Sequence, residues 1–294
     1  MKVGYVGLGV MGGAIARRLM LSRELQVFDL SENRVADFVA NGATAAARLA
    51  EMARDCDVVM LCLPRSANVR AAIFAPGGLA EGLSPGKIVV DQTSGDPNDT
   101  RSMAGELAKR GVAMLDAPVS GGARGAASGT IAIMAGGTEE DYRRVAPVFD
   151  QIGPNHTYCG AIGAGQVLKL LNNTISTCNR FALLEAVAVG VKNGNSMDVM
   201  VDVLNAGGAR SKSSETMLPA LAKGVPNAKF ALSLMLKDLN LAAQLAIDSG
   251  APLQFGQLAR GMLQAASNSF GPDANIDDIA DLVADQAGIR FTPE

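Results

Sequence analysis

Gly7-Leu8-Gly9-Val10-Met11-Gly12 follows the apolar run Val3-Gly4-Tyr5-Val6 and leads into residues 11–21, whose apolar positions repeat with helical period. Three glycines at this spacing between a strand and a helix have distinct duties. The first makes a tight turn, the second lets the backbone approach a pyrophosphate, and the third lets helix and strand pack closely. The helix N-terminus then faces the phosphates with unpaired N–H groups. Leu8, Val10 and Met11 complete the turn. Further out, Asp29 ends the next apolar run, where a carboxylate accepts from adenosine ribose hydroxyls. The plain alternative is a glycine-rich turn followed by a helix-capping aspartate. A carboxylate at position 29 repels a 2′-phosphate, so NAD is expected ahead of NADP; Arg34, one helical turn beyond, keeps NADP as the lesser option.

From this turn to about residue 160, short apolar runs alternate with helical stretches, the pattern of a parallel sheet with crossover helices. Strands are expected at 2–6, 26–29, 58–61, 88–91, 113–116, 131–135 and 157–159, with helices at 11–21, 31–39, 68–74, 98–110 and 139–149. Beyond Gly165 the texture changes. Residues 166–193 lack proline and hold only Gly190, which predicts one long helix. Further helices are expected at 197–205, 213–222, 232–249, 252–266 and 276–286. The fold class that follows is α/β. An N-terminal Rossmann doubly wound parallel sheet spans 1–162, a long interdomain helix 163–193, and a C-terminal all-α domain for substrate and oligomerisation 194–294.

The chain of 294 residues is long enough for two cores, and 48% hydrophobic against 19% charged residues excludes global disorder. A net charge of −3 disfavours nucleic acid or an anionic membrane as partner. The longest apolar runs, such as Val58-Val59-Met60-Leu61-Cys62-Leu63, fall far short of a bilayer span. The N-terminus carries no targeting pattern, and a cytoplasmic protein is expected. Cys56, Cys62, Cys159 and Cys178 show no paired spacing and His156 is the lone histidine, so no metal site is expected. His156 follows Pro154 and Asn155 with no acidic neighbour in sequence, which hands proton transfer to another side chain.

Three more segments carry chemistry. Asp116-Ala117-Pro118-Val119-Ser120-Gly121-Gly122 follows a strand and is either an anion pocket built from successive backbone N–H groups or a plain strand-to-loop turn. Gly163-Ala164-Gly165-Gln166-Val167-Leu168-Lys169-Leu170-Leu171-Asn172-Asn173 opens the long helix, where Lys169 and Asn173 share a face at i and i+4. Leucines on either side of Lys169 imply partial burial. Desolvation and the positive helix end both lower a lysine pKa, the direction a general acid/base requires. A snorkelling lysine is the plain alternative. Phe230-Ala231-Leu232-Ser233-Leu234-Met235-Leu236-Lys237-Asp238-Leu239 sets a charged pair in an apolar helix, facing either an interdomain cleft or solvent at a helix edge.

Together, in this order and over essentially the whole chain, these segments resemble the 3-hydroxyisobutyrate dehydrogenase family, the β-hydroxyacid dehydrogenases. Its G-L-G-x-M-G corresponds to Gly7 through Gly12, its C-D-V-V-x-x-x-L-P to Cys56 through Pro64, and its D-A-P-V-S-G-G to Asp116 through Gly122. Its G-x-G-x-x-x-K-x-x-N-N corresponds to Gly163 through Asn173, and its K-D-L to Lys237 through Leu239. The resemblance implies NAD-linked oxidation of a small 3-hydroxy acid, or reduction of its semialdehyde, by a homodimer or homotetramer. It implies Lys169 as general acid/base and Asn173 as substrate orienter, with Ser120, Gly121 and Gly122 on the substrate carboxylate. It sets Leu63, Pro64 and Asn68 against the cofactor, and Lys237, with Phe230 and Asp238 beside it, at the nicotinamide end. Two departures stand out. Where the family has Ser-Thr after the fourth strand, this chain has Asp91-Gln92-Thr93-Ser94, so Thr93 and Ser94 share the cofactor contact. The loop Ala206-Gly207-Gly208-Ala209-Arg210 resembles a family loop with an arginine near the substrate, but its neighbours are small. Two other readings on this fold, a non-catalytic NAD-binding protein and an imine reductase, usually lack the lysine that Lys169 supplies.

Overall fold

Short runs of two to five residues, the central ones apolar and too short for buried helices, form the strands of one sheet. In the computed structural model, which describes residues 1–292, these are Val3–Val6 (β1), Gln26–Phe28 (β2), Thr44–Ala45 (β3), Val58–Leu61 (β4), Ile88–Asp91 (β5), Ala113–Asp116 (β6), Val119–Ser120 (β7), Ala132–Gly136 (β8) and His156–Gly160 (β9). Their order is β3-β2-β1-β4-β5-β6-β8-β7, with β9 on β8. β3 through β6 are parallel. The parallel sheet expected from the sequence is present, with one departure. β8 runs antiparallel to both β6 and β7, because only the two-residue β7 and a seven-residue helix, Gly122–Ser128, lie between β6 and β8, and a parallel return needs a longer crossover.

Helices Val10–Met20 (α1), Glu32–Ala40 (α2), Leu49–Asp55 (α3), Ser66–Phe74 (α4), Pro97–Ala108 (α5), Gly122–Ser128 (α6) and Glu139–Ile152 (α7) cover the two faces. One face buries Tyr5, Ile15, Leu19, Val27, Met60 and Phe149; the other buries Val59, Leu61, Ile73, Val89, Met103 and Leu107. Each such side chain contributes about 1.5–3 kcal/mol relative to exposure. β3, β7, α3 and α6 are absent from the sequence-based expectation, since two strand residues or two helical turns are too few to display a period.

The chain divides into two compact units, Met1–Lys169 and Leu170–Glu294. Helix α8, Ala164–Lys192, begins in the first unit and continues through the second. The second unit adds Met197–Ala206 (α9), Lys212–Ala222 (α10), Leu232–Ser249 (α11), Gln254–Phe270 (α12) and Ile279–Ala287 (α13) around a core that includes Phe181, Leu184, Leu218, Leu239, Leu263 and Ile279. Ser196 and Ser211 cap α9 and α10 through their hydroxyls. Among the described residues beyond 165, the strandless texture expected from the sequence is interrupted only by a single bridge, Ala231 to Asn275. Among the described residues, no helix is long and apolar enough to cross a membrane.

Candidate active site

In the first unit, the candidate residues gather at the carboxyl ends of β1, β2, β4, β5 and β6, the edge where open α/β sheets bind ligands. The glycine turn meets a dinucleotide's demands atom by atom. Gly7 has φ +95°, and a Cβ there would run into the Cys62 carbonyl oxygen; a Cβ at Gly12 would run into the Gly7 carbonyl oxygen. At Gly9, the N-cap of α1, no protein atom lies within 4 Å of a built Cβ, leaving backbone open to a phosphate. Leu8 donates its N–H to Asp29 Oδ2 (2.7 Å), Ser31 donates to Oδ1 (2.8 Å), and the Arg34 guanidinium stands 3.6 Å from Oδ1. Both Asp29 oxygens therefore have a fixed orientation and keep lone pairs for ribose hydroxyls. Val10 is exposed and Met11 half-buried on the first turn of α1. Burial pushes the Cys62 thiol below this turn up to about 12, so it stays protonated and inert.

The loops after β4 and β5 are tied together. Thr93 is buried and accepts the Leu63 N–H on its hydroxyl (2.9 Å), while its own N–H goes to Asp91 Oδ1 (2.9 Å). The expectation that the Thr93 hydroxyl faces the cofactor is thus corrected: it points into protein, and its part is to hold Leu63 in place. Ser94 is half-buried, and Pro64 and Asn68 are exposed, Asn68 on the first turn of α4.

Two residues that the sequence gave no separate role fasten α8 to this edge. Asp116, fully buried, accepts the N–H groups of Gly163 (2.7 Å) and Gln166 (2.8 Å). Burial pushes its carboxyl pKa up, and those backbone donors pull the other way. Gln166 accepts from Gly95 N–H (2.9 Å) and donates to the Thr93 carbonyl (2.6 Å). The start of α8 is thereby bonded to the loops after β5 and β6. Lys169 lies in the second turn and is 8% exposed. The burial expected of it is present; of the flanking leucines Leu170 is buried with it, whereas Leu168 and Leu171 are exposed, and Lys169 shares its helix face with the buried Gln166 and Asn173, three and four residues away. Ser120 is half-buried, and Gly121 and Gly122 follow at φ +130° and +68°, a backbone that L side chains rarely adopt.

In the second unit, Asn173 is buried and donates its amide to Asp238 Oδ2 (2.6 Å); Asp238, also buried, pairs through Oδ1 with Lys237 Nζ (3.0 Å). The solvent-edge alternative for Lys237 and Asp238 does not hold. Nor does Asp238 stand open to a cofactor: it is a buried acceptor that orients Asn173. Phe230 packs on the unit's core, and its carbonyl accepts the Ile276 N–H (2.8 Å). Arg210 is exposed and paired with Glu215 (2.7 Å). His156, expected without an acidic neighbour, has one in space: Asp150 lies 2.9 Å from Nε2 and the Tyr142 hydroxyl 2.8 Å from Nδ1, because the last turn of α7 packs along β9.

Residues 2–160 match the profile of the NAD binding domain of 6-phosphogluconate dehydrogenase, and residues 163–283 that of the NAD-binding domain of NADP-dependent 3-hydroxyisobutyrate dehydrogenase. The chain is 34% identical to 2-(hydroxymethyl)glutarate dehydrogenase of Eubacterium barkeri, over 88% of this chain and 86% of that one. It is 35% identical to the NAD-dependent L-serine dehydrogenase of Pseudomonas aeruginosa, over 88% and 89%. The crystal structure of a 3-hydroxyisobutyrate dehydrogenase from Salmonella typhimurium superposes with a TM-score of 0.85 at 30% identity, covering 96% of this chain and 99% of that one. The glycine turn, its acidic partner and these full-length similarities lead to one assignment: the chain belongs to the 3-hydroxyisobutyrate dehydrogenase family of NAD(P)-dependent hydroxyacid dehydrogenases.

Proposed function

We propose that this protein oxidises a small 3-hydroxy acid of the form HOCH2–CHR–COO⁻ to its semialdehyde, and the reverse, with NAD preferred and Lys169 as general acid/base. The observation that carries this reading is the placement of Lys169: buried, two turns into a helix whose start Asp116 and Gln166 bond to the cofactor-side loops. The substrates named for the relatives, L-serine, 3-hydroxyisobutyrate and 2-(hydroxymethyl)glutarate, share a primary alcohol one carbon from the carbon bearing the carboxylate. They differ only in R.

When bound, the nicotinamide supplies a two-electron acceptor for the carbinol hydrogen. Gly7, Gly9 and Gly12 with Asp29 hold the dinucleotide, and Leu63, Pro64, Asn68 and Ser94 line its course. Neutral Lys169 takes the hydroxyl proton as the alcohol becomes an aldehyde, and returns it in reduction. Asn173, fixed by Asp238, orients the reacting oxygen. Backbone N–H groups at Ser120, Gly121 and Gly122 take the carboxylate; the family resemblance assigns Lys237 to the nicotinamide end, and Arg210 is assigned to substrates whose R is itself acidic.

Lys169→Ala tests the reading. It should lower kcat by about 10²–10⁴-fold on the best acid of this form, while NADH fluorescence titration gives a near wild-type Kd. Lys169→Arg should not restore turnover, since guanidinium does not readily give up a proton. An alanine variant that keeps more than about a tenth of wild-type kcat, with chemistry rate-limiting, would falsify the assignment.

A further inference from the structure

Gln166 has a use beyond fastening α8, because both polar atoms of its amide go to one loop. Its Oε1 accepts the Gly95 N–H (2.9 Å) and its Nε2 donates to the Thr93 carbonyl (2.6 Å). The Gly95 N–H can only donate and the Thr93 carbonyl can only accept, so the amide has one orientation. Gln166 is fully buried, and between its two partners stands the half-buried Ser94. One side chain therefore holds both flanks of a residue that the resemblance sets on the cofactor. The same loop is held from a second side. Ser66, which opens α4 two residues before Asn68, accepts the Asp96 N–H on its hydroxyl (2.9 Å). Gly95 is buried between the two holders: a Cβ there would stand 2.5 Å from Ser66 Oγ and 3.8 Å from Gln166 Nε2. All of these residues belong to the unit Met1–Lys169.

We propose that Gln166 is a positioning residue that sets the distance between the cofactor loop and Lys169, with Gly95 as the joint. The inference rests on the reading of Lys169 as the acid/base. Lys169 follows Gln166 by three residues on the same helix face, so a shift of the loop reaches the lysine through a single helical turn. Few side chains can do this. Asparagine is one methylene short, methionine has the length but no amide, and glutamate would turn an acceptor toward the Thr93 carbonyl. Proton and hydride transfer need the reacting groups closely placed, and a displacement of about 1 Å costs up to about 100-fold in rate.

Kinetics of Gln166→Met in the full chain test the proposal. The variant should lower kcat about tenfold, with NADH Kd within about threefold of wild type. The primary isotope effect on a carbinol-deuterated hydroxy acid should rise, because the chemical step becomes more limiting. A double-variant cycle separates positioning from scaffold. On a Lys169→Ala background, Gln166→Met should cost less than about threefold, since the group it positions is gone. Gln166→Glu, which still accepts from Gly95, should fall between the wild type and the methionine variant. Gly95→Ala is a second route that leaves Gln166 in place. It should lower kcat by pushing the loop off Ser66, and Ser66→Ala added to it should return part of the loss, since the next atom lies 3.7 Å away. A methionine variant whose Tm falls while kcat and the isotope effect hold would overturn the proposal. So would one that costs as much without Lys169 as with it, or a Gly95→Ala enzyme with wild-type kcat. Near wild-type turnover in Lys169→Ala would instead remove the acid/base reading, and this inference with it.

Discussion

The candidate residues of the two units are made of different materials. In Met1–Lys169 the cofactor edge is made of backbone: Gly7, Gly9 and Gly12 have no room, or leave open the room, for a Cβ, and the N–H groups of Leu8 and Ser31 fix Asp29. In Leu170–Glu294 the candidate residues are polar side chains joined to one another, Asn173 to Asp238 and Asp238 to Lys237. Adding atoms damages the first kind of site, and removing them damages the second. An added methyl at Gly12 collides with the Gly7 carbonyl. A carboxylate removed at Asp238 takes away the acceptor that the Asn173 amide and the Lys237 ammonium share, and removing one partner of a buried polar contact costs more than the net worth of the bond itself.

The largest effect after loss of Lys169 should therefore come from removal in the second unit. Asp238→Ala should cut kcat by about 10–100-fold, the equivalent of the 1.5–3 kcal/mol of a charge-assisted hydrogen bond. Asp238→Asn should recover part of it, because its amide oxygen still accepts from Asn173 while the charge facing Lys237 is gone. If the alanine variant changed only Tm and left kcat untouched, Asp238 would be scaffold alone.

Asp116 is the place where the comparison is most easily broken, since here a first-unit site rests on a side chain. Asp116→Asn presents two backbone donors with one acceptor and an opposing NH2, which should lower unfolding free energy by about 1–3 kcal/mol. Because burial raises its folded-state pKa above the ordinary 3.8, the native chain binds this proton more tightly than the unfolded chain. The contribution of Asp116 to stability is then greatest below 3.8 and falls as pH rises through the raised value. Urea melts of wild type and variant at several pH values give the difference curve. A difference that grows with pH across that window would put the dominant cause elsewhere.

The same contrast explains what the sequence revealed. The sheet was legible because buried parallel strands such as Val58–Leu61 are continuous apolar runs, and the glycine turn because close backbone approach leaves only one residue type. The antiparallel β8 was not, since strand direction depends on how the short α6 returns the chain and no local pattern encodes it. Asp116 and Gln166 stood in quoted motifs, yet their partners lie 47 to 73 residues away in sequence, beyond any spacing rule. The burial of Lys169 was legible from its leucine neighbours only in part: Leu170 is buried beside it. Leu168 and Leu171 are apolar, but at one residue before and two after they fall on another face of α8.

The smallest effect, and the sharpest test of backbone against side chain, lies at Asp29. Its two oxygens already accept from Leu8 and Ser31, so the turn depends on it as well as the ribose. A 2′-phosphate would bring negative charge beside this carboxylate and next to the exposed Arg34 guanidinium, 3.6 Å away. The carboxylate repels it, and Arg34 attracts it. If repulsion dominates, the wild type favours NAD in kcat/KM. Asp29→Ser keeps one hydroxyl acceptor for the turn and removes the repulsion, so the ratio of NAD to NADP should fall by about tenfold, or 1.4 kcal/mol. Arg34→Ala should move the ratio the opposite way by less, because its side chain is exposed and screened. The second profile matched by this chain is that of an NADP-dependent enzyme, whereas a relative at 35% identity is NAD-dependent, so the wild-type ratio itself decides between the two charges. An unmodified enzyme that favours NADP would mean that Arg34, not Asp29, sets the choice, and the serine substitution would then leave the ratio nearly where it was.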